Sequence, residues 1–209
     1  LLSFGGIHPE NEDYRHILQE LAGRGVKGVK IHPVFQRTPI DDIRYQRIIA
    51  CASENDMIVL THAGYDIGFP GEDYASVSRI ETMLDIVKPE KFVLAHMGGW
   101  ECWQEVEERI VGRNVWLDTA FSLLPIEPAP GTARTPEEDP PLPRSRFLRM
   151  VEKHGAERIL FGTDSPWSEQ KEMIALIRQS GLDAVQQEAV LGGNAAQLLS
   201  LGQGVGDSR

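Results

Sequence analysis

The chain has 209 residues, 41% of them hydrophobic, and a formal net charge of −10 at pH 7. This length and composition allow a buried core and predict a single domain over residues 1–209. The acidic balance argues against nucleic acid and anionic membranes as main partners, and no apolar run approaches the roughly 18 residues of a membrane span.

Two features bear on the compartment and on the start of the chain. Cys51 and Cys102 lie in helical patterns without the spacing of a zinc knuckle or a redox pair, so we expect unpaired, buried or half-buried thiols. This favours a reducing, cytoplasmic setting. The chain begins at Leu1, with no Met and no secretory leader, directly in a strand-like run, so we expect an N-terminally incomplete domain.

Six apolar runs predict strands, and helical patterns lie between and after them. The strands are predicted at residues 1–8, 26–32, 57–62, 92–96, 115–121 and 159–161. Apolar residues recur at helical spacing over residues 14–22, 43–52, 77–87, 103–110, 147–151, 173–177 and 182–201. Regular alternation of strand and helix implies parallel strands joined by right-handed crossovers.

Local signals refine this pattern. Asp41 or Asp42 is predicted to cap the helix that starts near residue 43. Gly192 and Gly193 interrupt the last helix, and Asn194 is predicted to cap its second part. Residues 125–143 are rich in Pro and Glu and predict either an irregular loop over the mouth of the fold or an uninvolved surface insertion.

Titratable side chains collect where the predicted strands end. The strands finish at, or contain near their ends, His8, His32, His62, His96, Asp118 and Asp164. Carboxyl ends of parallel strands meet on one face, where α/β proteins build active sites. Neutral imidazoles with one or two carboxylates predict a divalent-metal site, with zinc as the first choice and manganese or iron as alternatives. The remaining histidines, His16 and His154, are predicted to be solvated.

Three of these residues form the most specific set. His62, His96 and Asp164 are each followed within one or two residues by Gly or Pro, which allows the backbone to turn tightly beneath a ligand. A lone histidine at a strand end is more often a hydrogen-bonded structural residue. A metal held by this set would activate water and polarise a carbonyl or carboxylate oxygen, while a carboxylate carries the proton.

Six short motifs resemble one protein family. They are Gly-Val-Lys-Ile-His-Pro (28–33), Thr-His-Ala-Gly (61–64), Ala-His-Met-Gly-Gly-Trp (95–100), Leu-Asp-Thr-Ala-Phe (117–121), Phe-Gly-Thr-Asp-Ser-Pro-Trp (161–167) and Gly-Gly-Asn-Ala-Ala-Gln-Leu-Leu (192–199). In this order they resemble the metal-dependent amidohydrolase superfamily, and within it the amidohydrolase-2 (amidohydrolase-related) family. The motif around Asp164 is the most specific.

The resemblance implies an α/β fold of the (β/α)8 TIM-barrel type, in which the six strands would be strands three to eight. It implies His62 and Asp164 as metal ligands, with Asp164 also carrying a proton. His96 would act on the substrate or help to bind the metal. The family takes two further ligands from a first-strand His-x-His or Glu-x-His pair. This chain contains no His-x-His, so we expect that His62 and Asp164 alone hold a metal weakly.

Other residues are candidates for contacts with a substrate. His32 shares a strand face with Lys30 and lies nearer the strand end, which favours His32 as a substrate group and a mononuclear site without a carbamylated lysine. Asp118 is predicted to hydrogen-bond a ligand histidine. The remaining candidates, each with a purely structural role as the alternative, are His8 on the rim, Asp66, Arg79, Trp100 and Trp167.

The leading hypothesis is a metal-dependent hydrolase that cleaves an amide, ester or lactone through metal-activated water. In it Asp164 handles the proton and His96 stabilises the oxyanion. Non-oxidative decarboxylation of a small aromatic or enoic acid is the enzymatic alternative. A non-catalytic α/β module with a degenerate site is the alternative from another class. The expected partner is a small-molecule substrate, and a homodimer is the candidate assembly.

Overall fold

The computed structural model describes residues 1–125 and 140–201. These residues belong to two compact units, Leu1–Asp118 and Thr119–Arg209. Residues 126–139 of the loop predicted at 125–143 lie outside the described residues, and the single domain stays a prediction. No helix in the described ranges is long and apolar enough to cross a membrane. Both cysteines are buried and free, as predicted.

The first unit is built on five parallel strands whose order in the sheet is their order in the chain. The strands are β1 (Gly5–Gly6), β2 (Gly28–Ile31), β3 (Ile58–Thr61), β4 (Phe92–Leu94) and β5 (Trp116–Asp118). The helices of this unit are α1 (Tyr14–Gly23), α2 (Ile43–Glu54), α3 (Val77–Val87) and α4 (Trp103–Arg109). The predicted alternation of strand and helix is therefore confirmed for this unit.

The central strands β2, β3 and β4 are mostly apolar and buried, with Lys30 of β2 as a half-buried exception, because helices cover the sheet. Val29, Ile31, Val59 and Phe92 are all buried, as expected for parallel strands packed on both faces. On the helical side, α2 and α3 bury stripes that include Tyr45, Ile48, Ile49, Ile80, Met83 and Leu84. Asp42, one of the two predicted caps, accepts a hydrogen bond from the Arg44 backbone N–H at 2.9 Å and starts α2.

The second unit begins at Thr119 and contains one strand and four α-helices among its described residues. They are α5 (Arg144–His154), β6 (Ile159–Leu160), α6 (Gln170–Gln179), α7 (Ala184–Glu188) and α8 (Asn194–Leu198). A π-helical turn, Ala189–Gly193, joins α7 to α8. The interruption predicted at Gly192–Gly193 is therefore confirmed, and Gly192 has non-helical dihedral angles.

Two predictions for the second unit are wrong. Asn194 does not cap α8, because its own backbone is helical and Gly193 occupies the cap position. Its buried side-chain amide instead donates to the carbonyls of Ala156 and Ile159, each at 2.7 Å, which satisfies acceptors at the start of β6. His154, predicted to be solvated, is buried in α5.

Gly64 makes the turn that follows β3. Its φ of 86° lies in the left-handed region, and its N–H donates to the Ala75 carbonyl at 2.8 Å. The neighbouring Ala63 carbonyl accepts from the Trp100 N–H at 3.0 Å, so the backbone after β3 lies directly against the backbone after β4. A Cβ atom at Gly64 would overlap the backbone N and O of Trp100.

We expect Gly64→Ala to destabilise the chain by about 3 kcal/mol, because it combines a left-handed backbone with a backbone clash. Gly71→Ala is the matched control, since Gly71 has a φ of 85° but no atom within 4 Å of an added Cβ. We expect the control to cost only about 1–2 kcal/mol. Urea unfolding of the two variants measures the difference, and equal losses would show that the contact with Trp100 is unimportant.

Candidate metal site and its surroundings

The register of the sheet brings the strand-end histidines together. Ile31 pairs with Thr61 in the β2–β3 ladder, so the residues that follow them, His32 and His62, lie side by side. Their rings stack with centroids 4.3 Å apart and an interplanar angle of 14°. His96 follows β4 after one residue, and its Nε2 lies 3.0 Å from His62 Nδ1. One proton shared between these two nitrogens makes the hydrogen bond.

Burial keeps the two stacked rings neutral. The pKa of His62 is lowered to about 2, first by burial and then by the neighbouring His96 and His32. The pKa of His32 is lowered to about 4 by burial and by Lys30. An uncharged imidazole has a lone pair to offer, which is the form that binds a metal ion. Near neutral pH both histidines are therefore in the ligand form.

Asp66 completes a cluster of possible ligands. Its Oδ2 lies 3.6 Å from His32 Nε2 and 3.9 Å from His62 Nε2. Ligand atoms of these three residues all lie within 4.8 Å of one another. Atoms bound tetrahedrally to zinc at about 2.0–2.1 Å are about 3.4 Å apart. The spacing and the two-imidazole, one-carboxylate chemistry therefore fit a divalent ion, which His32, His62 and Asp66 could hold.

A network that sequence reasoning missed fixes the position of His32. Gln36 Oε1 accepts from the His32 backbone N–H at 2.9 Å and from the Tyr45 hydroxyl at 2.7 Å. Gln36 Nε2 donates to the Ile7 carbonyl at 2.7 Å. Tyr45 is fully buried, and burial raises its pKa. The sequence places Tyr45 in an apolar helical pattern, but such a pattern does not show which group its hydroxyl contacts.

Aromatic rings cover the outer side of the cluster. Phe35 stacks on the face of His32 that is turned away from His62, with centroids 3.9 Å apart and an angle of 6°. Phe35 is nevertheless 63% exposed. Phe69 meets Phe35 edge-on at 5.4 Å. An exposed phenyl ring next to polar ligands offers a flat apolar surface to a bound molecule. Neither phenylalanine carries a sequence signal for this position.

The backbone after β4 is held in an uncommon conformation. His96 and Met97 have φ angles of 61° and 52°, in the left-handed region that costs non-glycine residues energy. Asp118 Oδ1 accepts from the His96 backbone N–H at 2.9 Å, and Trp103 Nε1 donates to the His96 carbonyl at 3.1 Å. The Asp118 side chain thus contacts the backbone of His96. The predicted hydrogen bond from Asp118 to the ring of a ligand histidine stays a prediction.

Three other candidates of the first unit lie at the surface or in other contacts. His8 is exposed and accepts from the Glu10 N–H at 3.2 Å through Nδ1. Trp100 is buried beside Gly64. Arg79 forms ion pairs with Asp41 at 2.9 Å and Asp73 at 3.2 Å. Their predicted contacts with a substrate stay predictions.

Two candidates lie in the second unit. Asp164 is exposed, and its φ of 51° is left-handed. Trp167 is half exposed and meets Phe121 edge-on, with centroids 6.4 Å apart. The roles of Asp164 as ligand and proton carrier and of Trp167 as a pocket wall stay predictions.

The sequence profile of the family described as Amidohydrolase matches residues 8–201. This chain belongs to the amidohydrolase family. The predicted family is therefore confirmed over nearly the whole chain. Comparison with curated proteins gives no significant match.

Three solved structures show the fold of this amidohydrolase chain. An uncharacterised TIM-barrel protein from Bordetella bronchiseptica matches 94% of the chain at 20% identity, with a TM-score of 0.70, over 64% of its own length. A dihydroxybenzoic acid decarboxylase from a Polaromonas species, solved with manganese and 2-nitroresorcinol, matches 93% at 15% identity, with a TM-score of 0.63, over 66% of its length.

The third is a 2-pyrone-4,6-dicarboxylic acid hydrolase candidate from Pseudomonas putida. It matches 94% of the chain at 20% identity, with a TM-score of 0.63, over 71% of its length. The amidohydrolase chain thus spans about two thirds of the length of these structures. The predicted α/β fold of TIM-barrel type, present in part, is confirmed.

A prediction about pH follows from the buried histidines. The unfolded chain gains a proton at His62 below about pH 6.5, whereas the folded, metal-free chain does not. Stability is therefore fully present above pH 6.5 and falls as the pH drops, by at most about 1.4 kcal/mol per pH unit for this one ring. Urea unfolding in chelator at pH 7 and pH 5 measures the loss.

Two variants assign this loss to His62. We expect His62→Asn to remove part of the pH dependence, because the residue that titrates in the unfolded chain is gone. The exposed His16 provides the control, and His16→Asn should leave the slope unchanged. If His62→Asn unfolds with the same pH dependence as the unaltered chain, the ring is not held neutral by the fold.

Proposed function

We propose that this chain carries the metal-binding part of an amidohydrolase-family enzyme that acts on a carbonyl or carboxylate group of a small molecule. Hydrolysis of an amide, ester or lactone is the leading reaction. The observation that carries this proposal is the buried, neutral His62, which lies with His32 and Asp66 in a cluster of ligand atoms no more than 4.8 Å apart. Membership of the amidohydrolase family supports the same reading.

His32, His62 and Asp66 would hold the ion, with zinc as the proposed metal and manganese or iron as alternatives. When bound, such an ion acts as a Lewis acid that polarises a carbonyl or carboxylate oxygen. The Tyr65 carbonyl lies 3.0 Å from His62 Nε2 and is a further oxygen on the same side of the ring. The two unpaired, buried cysteines support a reducing compartment such as the cytoplasm.

His96 sets which nitrogen of His62 is available. Without an ion, His62 Nε2–H donates to the Tyr65 carbonyl and Nδ1 accepts from His96 Nε2, each at 3.0 Å. With an ion bound, the proton of His62 would instead lie on Nδ1 and be donated to His96 Nε2, and the lone pair of Nε2 would be free on the side of Asp66. In this neutral tautomer His96 keeps its own proton on Nδ1. His96 can then donate that proton to an oxygen of the substrate on which negative charge develops, as predicted from the sequence. Asp164 is retained as the proposed proton carrier on the family resemblance alone.

Non-oxidative decarboxylation is the second candidate, and the exposed Phe35 favours it. A planar aromatic acid could lie against this ring, which is stacked on His32 and 63% exposed. In that reaction the bond between the ring carbon and the carboxylate breaks, CO₂ leaves, and a proton takes its place on carbon. The Polaromonas enzyme that resembles the chain in fold is named for such a substrate.

Metal content tests the proposed ligands. We expect about one equivalent of divalent metal in the chain purified without chelator, and less than about 0.2 equivalents in His62→Ala, which removes a central ligand. His16→Ala is the control and should keep its metal. Elemental analysis by mass spectrometry measures the ratio. Equal metal in His62→Ala and the unaltered chain would show that His62 is not a ligand.

A pair of probe substrates separates the two reactions. Dihydrocoumarin reports hydrolysis through ring opening, and 2,6-dihydroxybenzoate reports decarboxylation through CO₂ release. We expect the metal-loaded chain to open the lactone, and His96→Asn to lower that rate about 100-fold or more while retaining metal. Release of CO₂ without lactone opening would assign the decarboxylase instead. Neither activity in a chain that holds metal would contradict both candidates.

A further inference from the structure

We propose that Arg79 is a positioning residue that sets the separation of His32 and Asp66 by tying together the two loops that carry them. One loop follows β2 and runs from His32 to Asp42; the other follows β3 and runs from His62 to Ser76. This inference rests on the proposed metal site. It gives Arg79 a function other than contact with a substrate.

The guanidinium of Arg79 reaches both loops at once. Its Nη1 donates to both carboxylate oxygens of Asp41, at 2.9 and 3.1 Å, at the end of the first loop. Its Nε donates to the Asp73 carbonyl at 3.1 Å and to Asp73 Oδ2 at 3.2 Å, in the second loop. A planar guanidinium donates in fixed directions, so it holds two partners at a defined separation in a way that an ammonium does not. We refer to Arg79, Asp41 and Asp73 as the clasp.

The backbone reinforces the clasp at the same place. The Ile40 N–H, next to Asp41, donates to the Tyr74 carbonyl, next to Asp73, at 2.9 Å. Near the clasp the two loops are thus joined by one backbone bond and by the ion pairs of Arg79, and nearer the histidines by the edge-on contact of Phe35 with Phe69. Since Arg79 lies in the first turn of α3, the clasp also fixes both loops to a helix that is anchored by the buried side chains of Val77 and Ile80.

Consecutive turns carry this constraint from the clasp to Asp66. The Glu72 N–H donates to the Phe69 carbonyl at 3.2 Å, and the Phe69 N–H donates to the Asp66 carbonyl at 3.0 Å. The Gly68 N–H donates to Asp66 Oδ1 at 2.8 Å, which leaves Oδ2 as the oxygen nearest the two imidazoles. Asp66 is therefore held by a hydrogen-bonded path that begins beside Asp73.

The first loop is held in the same way on the side of His32. The Thr38 N–H donates to the Pro33 carbonyl at 3.1 Å, and the Gln36 N–H donates to the His32 carbonyl at 2.9 Å. The loop between His32 and the clasp is thus closed by turns and by the Gln36 contacts described above. Loss of the clasp should let the loops separate, which moves the Asp66 carboxylate relative to His32 without removing a ligand.

Zinc affinity tests the clasp, and Arg113→Gln is a matched control. Arg113 also pairs with two carboxylates, Glu81 at 2.8 Å and Asp85 at 2.6 Å. The exposed fractions of the Arg79 and Arg113 side chains are 33% and 32%. Both pairs of Arg113 are made to α3 rather than to either loop. Loss of Arg113 should therefore cost similar stability while leaving the ligands in place.

We expect Arg79→Gln to weaken zinc binding about tenfold or more, as measured by competition with a chromophoric chelator, while Arg113→Gln binds within about twofold of the unaltered chain. The zinc affinity of Arg79→Lys should lie between those of these two variants, because lysine keeps the positive charge but lacks the planar set of donors of a guanidinium. Asp41→Asn should weaken zinc binding as much as Arg79→Gln does. The variant that combines both changes should bind zinc little more weakly than either single variant, because both changes break the same ion pair. Hydrogen exchange at Gly68, Phe69 and Glu72 should quicken in Arg79→Gln and not in Arg113→Gln.

Three outcomes would overturn the clasp. Unchanged zinc affinity and loop exchange in Arg79→Gln would show that the loops do not depend on it. Equal losses in Arg79→Gln and Arg113→Gln would assign the effect to overall stability. No zinc binding by the unaltered chain would overturn the proposed metal site together with this inference, whereas tight binding that is insensitive to Arg79 would overturn the inference alone.

Discussion

The side-by-side register of β2 and β3 is the constraint on which the rest of the first unit depends. Pairing of Ile31 with Thr61 brings the next residues, His32 and His62, level at the carboxyl ends of neighbouring strands. Their rings stack, and burial lowers the pKa of each. A slip of one residue would turn one of the two side chains to the opposite face of the sheet. The buried β-branched and aliphatic residues of β2 and β3 fix this register, and they therefore also determine where the proposed metal ligands lie.

Polar side chains at this edge are costly to bury, and the structure offsets that cost with hydrogen bonds. His62 uses one nitrogen toward His96 and the other toward the Tyr65 carbonyl, both at 3.0 Å. Gln36 satisfies the His32 backbone N–H and the Tyr45 hydroxyl together. A divalent ion would replace some of these contacts with stronger bonds. The site is thus organised before any ion binds, which lowers the cost of binding.

Much of the fold could be predicted from the sequence because it depends on periodicity and on short signals. Apolar runs that end in His32, His62 and His96 predicted the ends of three strands. Gly192 and Gly193 predicted the interruption of the last helix before Asn194. The predicted cap at Asn194 was wrong because a local preference for caps was overridden by two carbonyls that are distant in sequence. His154 lies on the same helix face as Phe147, Met150 and Val151, so helical spacing indicates its burial; the prediction was wrong because the usual preference of histidine for solvent was given more weight.

The site could be predicted less completely. The positions of histidines at strand ends can be predicted once the strands are located. The position of a side chain in a loop depends on the path of the loop, which the sequence does not show. Asp66 was a candidate for a substrate contact, which stays a prediction, and its place beside the histidines was not foreseen: the structure puts its Oδ2 3.6 Å from His32 Nε2. Gln36, Phe35 and Phe69 gave no signal, because no spacing rule shows that a loop residue will turn toward a histidine. Arg79 looked like a carboxylate binder, and the carboxylates that it contacts are Asp41 and Asp73.

Zinc-edge X-ray absorption of the metal-loaded chain tests the central claim most directly, that two imidazoles and a carboxylate of the first unit hold the ion. We expect nitrogen and oxygen ligands at about 2.0–2.1 Å, with the multiple scattering of two imidazoles in the unaltered chain and of one imidazole in His32→Ala. A shell containing sulfur at about 2.3 Å, or a spectrum that does not change in His32→Ala, would contradict it.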